Sequence, residues 1–211
     1  VQFTIGFLFA MFFSRKFTLA GPIRGLVLVG YMTPMSVTAL LGKNLFLLDG
    51  GVINDLLMKV HLISSPIDWL VNGGTALGAV IAVNCWVGIP FNMLLLTSGL
   101  TGISTDIYES ASMDGANAFK RFIYITLPLM KPAMLSVLML GFIYTFKAFD
   151  LMYIMTAGGP FNSTDVLGTY AYSKAFTQYE FSQGSAIAMV LFACLFLVGI
   201  FYLKLLSKED D

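Results

Sequence analysis

Lys147 and Asp150 stand three residues apart in an otherwise apolar segment, 131–155. Three residues of helix put two side chains on one face, where opposite charges can pair. A lysine at the centre of a bilayer costs roughly 3 kcal/mol on insertion scales, so its presence there calls for a reason. Two readings are open. In one, Tyr144, Lys147, Asp150 and Tyr153 form a polar line facing a watery cavity. In the other, Lys147 snorkels towards the interface and the pair is structural. Asn84, Trp86 and Asn92, in the preceding apolar run, offer amides that bond hydroxyl groups and an aromatic face that suits a sugar ring; helix–helix hydrogen bonding is the competing reading. Bond chemistry has little to work with. There is one histidine, His61, read as a solvated loop residue, and there is no Gly-x-Ser-x-Gly elbow and no close carboxylate pair within a span. The expectation is no catalytic residue, no metal and no cofactor held by this chain.

The segment 104–135, STDIYESASMDGANAFKRFIYITLPLMKPAML, is too polar to cross a bilayer and too organised for a slack linker. Asp106 is placed to cap a helix start, with Glu109 three residues on. Ser110, Ala111 and Ser112 keep the helix through Met113 small-faced, so that another surface can approach closely. Asp114-Gly115 breaks it. Asp114 then caps a second helix over 116–124, with Gly115 allowing the bend. Pro128 and Pro132 end that helix and start the next span. Such a helix–turn–helix either fits a cleft on a partner protein or rests on lipid headgroups, and pattern alone leaves both open.

These segments need a scaffold, and composition says which solvent it meets. Of 211 residues, 57% are hydrophobic and 11% charged, with a mean hydropathy of +0.82. A water-soluble fold of this size cannot cover so much apolar surface. Twelve basic and twelve acidic residues cancel, which leaves no basic face for nucleic acid. Cys85 and Cys194 lie in apolar runs and read as free buried thiols. Uncharged runs of 18 residues before Lys43, 37 before Asp106 and 23 before Lys204 match the roughly 20 residues a helix needs to cross a bilayer. Strict alternation for barrel strands is missing. The fold class is therefore all-α: a polytopic transmembrane helix bundle with spans at 1–13, 23–47, 76–98, 131–155 and 181–204. Pro34 and Pro90 predict kinks in two of them. The first span reads as the tail of a helix whose start lies outside the sequence. A short amphipathic helix is expected at 53–60, with Trp69 as an interfacial anchor. Arg15, Lys16, Arg24, Lys120, Arg121, Lys131, Lys204 and Lys208 fall in connections on one side, and only Lys43, Lys59 and Lys174 on the other. The richer side, with the C-terminus, is expected to be cytoplasmic.

Glu109-Ser110-Ala111, then Gly115, then Ile125-Thr126-Leu127-Pro128 resembles the cytoplasmic signature of ABC importer permeases: Glu-Ala-Ala, three residues, Gly, nine residues, Ile-x-Leu-Pro. Every spacing agrees, and Ser110 is the one departure, in place of the first alanine. The fuller stretch YESASMDGANAFKRFIYITLP is similar to the sugar-type permeases. FDLMYIMTAGGPFNSTDVLGTYAYSKAF at 149–176 and GSAIAMVLF at 184–192 are similar to the later helices of permeases for di- and oligosaccharides or glycerol-3-phosphate. The likeness covers essentially the whole chain as a single transmembrane domain, 1–211, partial at its N-terminus, with 104–128 as its coupling loop. It implies that Glu109, Ser110, Ala111, Asp114, Gly115, Ile125, Leu127 and Pro128 dock on an ATPase subunit dimer, where ATP and Mg are held. It implies a second homologous permease subunit, an extracellular solute-binding protein, a bacterial-type plasma membrane, and import of a sugar by alternating access. The alternative solute is an amino acid or a phosphorylated polyol.

Overall fold

Long apolar runs without water to bond their backbone close every N–H and C=O within a helix, and helices are what the chain forms. The computed structural model describes residues 1–14 and 17–207; Arg15, Lys16 and Lys208 lie outside the described residues. In chain order the helices are α1 (Gln2–Ser14), α2 (Ala20–Met32), α3 (Met35–Leu45), α4 (Val52–Lys59), α5 (Gly73–Thr101), α6 (Thr105–Met113), α7 (Ala118–Arg121), α8 (Leu127–Phe146), α9 (Asp150–Thr156), α10 (Leu167–Tyr172) and α11 (Phe181–Ser207). Wide π turns sit at Phe122–Thr126 and Ser173–Thr177. Among the described residues, three stretches are long and apolar enough to cross a membrane: Gly73–Thr101, Ala118–Phe146 and Phe181–Leu205; α2 and α3 make a fourth if the bent pair is one span.

Two expected spans are redrawn. The run 23–47 is not one kinked helix: it breaks at Thr33 and Pro34, and Pro34 stands at the N-cap of α3. Proline lacks the N–H that a continuous helix needs there, and its ring disfavours helix in the residue before it. The run 131–155 ends at Phe146, leaves 147–149 outside any helix and resumes as α9. Lys147 and Asp150 thus stand at a helix break rather than one turn apart on one helix. Asp150, in the first turn of α9, meets the positive end of that helix's dipole. Conversely, Pro128 and Pro132 do not divide two helices: α7, the π turn and α8 run on from Ala118 to Phe146, with Pro132 inside α8. Lys131 is therefore a helix residue, as is Arg24 in α2. α5 passes through Pro90 without a break.

The chain divides into two compact units. The first comprises Val1–Tyr31, Val87–Tyr144 and Leu197–Asp211. Phe7, Ala10 and Phe13 of α1 pack with Met93 and Leu96 of α5 and with Met130 and Val137 of α8. Small residues allow the approach: a Cβ on Gly99 would stand 2.8 Å from that of Ala133. Arg24 donates to the Phe13 carbonyl at 2.6 Å, closing an open end of α1. Ser136 and Tyr202 share a 2.7 Å hydroxyl bond between α8 and α11.

The second unit comprises Met32–Trp86 and Thr145–Phe196. Its core joins Ala39 of α3 and Phe46 at that helix's C-cap, Ala79, Val80 and Val83 of α5, and Leu151, Met152 and Met155 of α9. α3 lies so close to α5 that a Cβ on Gly42 would fall 2.6 Å from Val83 Cγ2. Gly42→Ala is expected to destabilise the fold by about 1–3 kcal/mol through overpacking. Val83→Ala in the same chain should recover part of that loss, read as melting temperature in detergent. The segment after α3 is organised by Asn54, only 1% exposed. Its amide donates to the carbonyls of Leu47, Leu48 and Ile67, and its oxygen accepts from Ile67 N–H and, at 2.8 Å, from Trp69 Nε1. Trp69 is half-buried and edge-on to Phe46 at 5.8 Å, so it anchors protein to protein. α4 begins one residue earlier than expected, and His61 follows it as an exposed residue with φ 59°. Cys85 and Cys194 are both free thiols.

Candidate functional site

The segment 104–128 folds as two helices joined by a tight turn. Three cap-forming residues compete at its start, Ser104, Thr105 and Asp106, and the first prevails. Ser104 is the N-cap, its side chain accepting from Asp106 N–H at 3.3 Å. Asp106 is not the cap; it lies in the first turn of α6, where its charge suits the helix dipole. At the other end the Gly115 N–H bonds the Ser112 carbonyl at 3.1 Å and the Ala116 N–H bonds the Ala111 carbonyl at 2.9 Å. These paired bonds need a left-handed residue between them, and Gly115 has φ 76°. Asp114 is thereby used as the C-cap of α6. The second helix is capped by Asn117 instead, whose Oδ1 accepts from Lys120 N–H at 2.9 Å.

Glu109, Ser110, Asp114 and Gly115 are exposed on this hairpin, and Ala111 is half-buried. Ile125 and Leu127 are half-buried where the hairpin enters α8, and Pro128 is exposed. The exposed surface is not only small-faced. Met113 is 90% exposed and Phe119 72% exposed, flanking the Gly115 turn in sequence. They add two large apolar side chains to the exposed surface of the hairpin. Sequence reasoning weighed Ser110, Ala111 and Ser112 and passed over them; a methionine directly before Asp-Gly and a phenylalanine just past the next cap were the available signals.

The remaining candidates divide between the units. In the first, Asn92 is buried against α1: a Cβ on Gly6 would meet its Cβ at 2.5 Å, and its amide donates to the Gly88 carbonyl of its own helix at 2.7 Å. Tyr144 is exposed and edge-on to Phe91 at 5.3 Å. In the second, Asn84 is half-buried, and Lys147 and Asp150 are exposed. Tyr153 stacks on Phe149 at 5.1 Å and meets Tyr172 at 4.9 Å. Exposed Trp86 borders a cavity of about 770 Å³ with Thr33, Thr38, Leu41 and Asn44. The Thr38 hydroxyl there is buried without a hydrogen-bond partner among the described residues. Thr38 and Asn44 were not singled out from sequence, because a hydroxyl and an amide near a helix end look like ordinary cap residues.

The chain as a whole is similar to known proteins. The chain is 32% identical over 200 residues to the trehalose/maltose transport system permease protein MalF of Thermococcus litoralis, a match over 95% of this chain and 67% of that one. It is 32% identical over 201 residues to the sulfoquinovosyl glycerol transport system permease protein SmoG of Agrobacterium fabrum, over 95% of this chain and 65% of that one. The chain thus spans about two thirds of the length of the curated relatives it matches. Its fold superposes on a bacterial alginate ABC transporter, solved in complex with an alginate pentasaccharide-bound periplasmic protein. The TM-score is 0.84 at 19% identity, over 95% of this chain and 70% of that one. Residues 2–208 match the family model described as binding-protein-dependent transport system inner membrane component, and the chain belongs to that family.

Proposed function

We propose that this chain is the membrane-spanning permease subunit of an ATP-driven importer for a sugar or sugar-like solute, and that it carries no enzymatic site of its own. The observation that carries the proposal is the hairpin 104–128: signature residues at full spacing, a glycine-locked turn, and Met113 and Phe119 bare beside it. The hairpin is the coupling element. Glu109, Ser110, Ala111, Asp114 and Gly115 form its head, and Ile125, Leu127 and Pro128 lead its movement into α8. It faces the cytoplasm, as does the C-terminus, in a bacterial-type plasma membrane. ATP and Mg act in a separate ATPase dimer. A second homologous permease completes the conduit, and an extracellular binding protein delivers the solute, which bundle rocking passes inward by alternating access.

The solute path of the second unit draws on Trp86 and Asn44 around the cavity: an aromatic face and an amide suit a polyhydroxylated ligand. Asn84, Lys147, Asp150 and Tyr153 extend the candidates there. Tyr144 is a candidate from the first unit by its chemistry, and Asn92 serves packing.

The test is co-expression with candidate ATPase, permease and binding-protein partners, reading ATPase co-purification and uptake of maltose, glycerol 3-phosphate and glutamine. Sugar uptake is the expected result, and uptake of glutamine alone would overturn the sugar assignment. Met113→Asp and Phe119→Asp place charges on the bare apolar faces. Each is expected to weaken co-purification by about tenfold, the effect of roughly 1.4 kcal/mol. Undiminished co-purification in both would remove the hairpin from the docking surface.

A further inference from the structure

The two helices of the hairpin are tied to one another twice, and both ties converge on the π turn. Tyr108 Oη and Thr126 Oγ1 lie 2.9 Å apart and share a hydrogen bond. Thr126 is 7% exposed, its hydroxyl also lies 3.4 Å from the Arg121 carbonyl, and either hydroxyl of the pair can donate to the other. The second tie runs from Arg121 Nη1 to Ser112 Oγ at 2.7 Å, while that serine donates to the Tyr108 carbonyl at 2.7 Å. On α6 the two anchors, Tyr108 and Ser112, are four residues apart and share a face. On the second helix the anchors, Arg121 and Thr126, are five apart. In a regular α-helix, positions five apart point about 140° away from each other. Widening the turn by one residue brings them towards one face, and the backbone is wide at this place, with the Leu127 N–H bonding back to the Phe122 carbonyl. The π turn therefore registers a four-residue step on one helix with a five-residue step on the other. Such bulges are frequent at functional sites.

We propose that Tyr108 and Thr126 are positioning residues: their hydroxyl bond, aligned by the π turn, makes α6 and α8 move as one rigid body, so that a push on the hairpin is delivered to the spanning helix rather than absorbed by the bend at Gly115. This rests on the coupling role proposed above. Neither hydroxyl touches the ATPase in this mechanism; both act through α8.

The rigid-body claim is open to a measurement that needs no solute. Spin labels at Thr105→Cys and Leu129→Cys, with Cys85→Ala and Cys194→Ala, report the α6–α8 distance in the assembled transporter in liposomes. The distance is read without nucleotide and after trapping with MgATP and orthovanadate. The wild-type background is expected to show one distance, unchanged by trapping. Tyr108→Phe and Thr126→Val should each raise a second distance population on trapping by about fivefold, the scale of one net hydrogen bond. Thr126→Ser, which keeps the hydroxyl, should match wild type, and the Tyr108→Phe/Thr126→Val double variant should add nothing to either single change. ATPase co-purification should stay constant throughout. If one valine or phenylalanine variant fails to assemble, the other with Thr126→Ser carries the comparison. The proposal is overturned if trapping changes the wild-type distance, if both hydroxyl deletions match wild type, or if their effects simply add. When the ATPase co-purifies and the distances ignore the hydroxyls, the brace alone is wrong. When no ATPase joins the wild-type chain, the coupling reading falls with it.

Discussion

Gly115→Pro is expected to reduce uptake to background while the chain still reaches the membrane in normal amount. The backbone there has φ 76°, and proline is locked near −65°. Proline also removes the N–H that bonds the Ser112 carbonyl at 3.1 Å. Together these cost about 3 kcal/mol or more, enough to unmake the turn rather than bend it. The spanning helices are untouched, because Gly115 lies in an exposed connection where a Cβ would meet nothing within 4 Å. That open space separates strain from crowding. Gly115→Ala should cost only about 1–2 kcal/mol, the price of a left-handed residue with a side chain, and retain measurable uptake. Membrane fractionation and uptake of the transported solute check both variants, and normal uptake by the proline variant would contradict a coupling role for this turn.

Asn54→Leu carries the largest expected stability effect. The side chain is of similar size but leaves the Ile67 N–H, the Trp69 Nε1–H and the carbonyls it once satisfied enclosed without their partner. Each buried polar group left unmade costs about 1–3 kcal/mol, so a total near 4 kcal/mol is a modest expectation. Limited proteolysis should then cut within 47–72, where the wild-type chain resists. Asn54→Asp keeps the acceptor but turns a carboxylate on the Leu47, Leu48 and Ile67 carbonyls in a site 1% exposed, and should be cut about as readily as Asn54→Leu. Equal protease resistance in all three would mean that apolar contacts, such as Phe46 against Trp69, hold this segment unaided.

The helical bundle was legible because its signals are long-range averages: a 29-residue apolar helix such as α5 survives any single ambiguous residue. The breaks were not, because each depends on one local competition. Pro34 ends a helix and Pro132 does not, although both lie in apolar runs. Pro132 and Pro128 follow a π turn, and a wide turn is one device by which a helix accommodates a missing N–H. Asp106 and Asp114 both looked like caps, yet Ser104 and Asn117 did the capping. Asp114 was already committed to closing the helix before Gly115, and spacing alone cannot rank neighbouring candidates. Gly115 itself was readable, since an Asp-Gly pair between two helical patterns has few other uses. Met113 and Phe119 were harder to read, because exposure of an apolar side chain is a property of the assembled hairpin.

The bonds that Asn54 makes all reach residues between 47 and 69, a short stretch of chain. Loop closure over so few residues is fast, and local contacts of this kind form ahead of distant ones. The excursion after α3 can therefore knit itself together while the ribosome is still making the helices that follow, and those helices then assemble around a piece that is already finished.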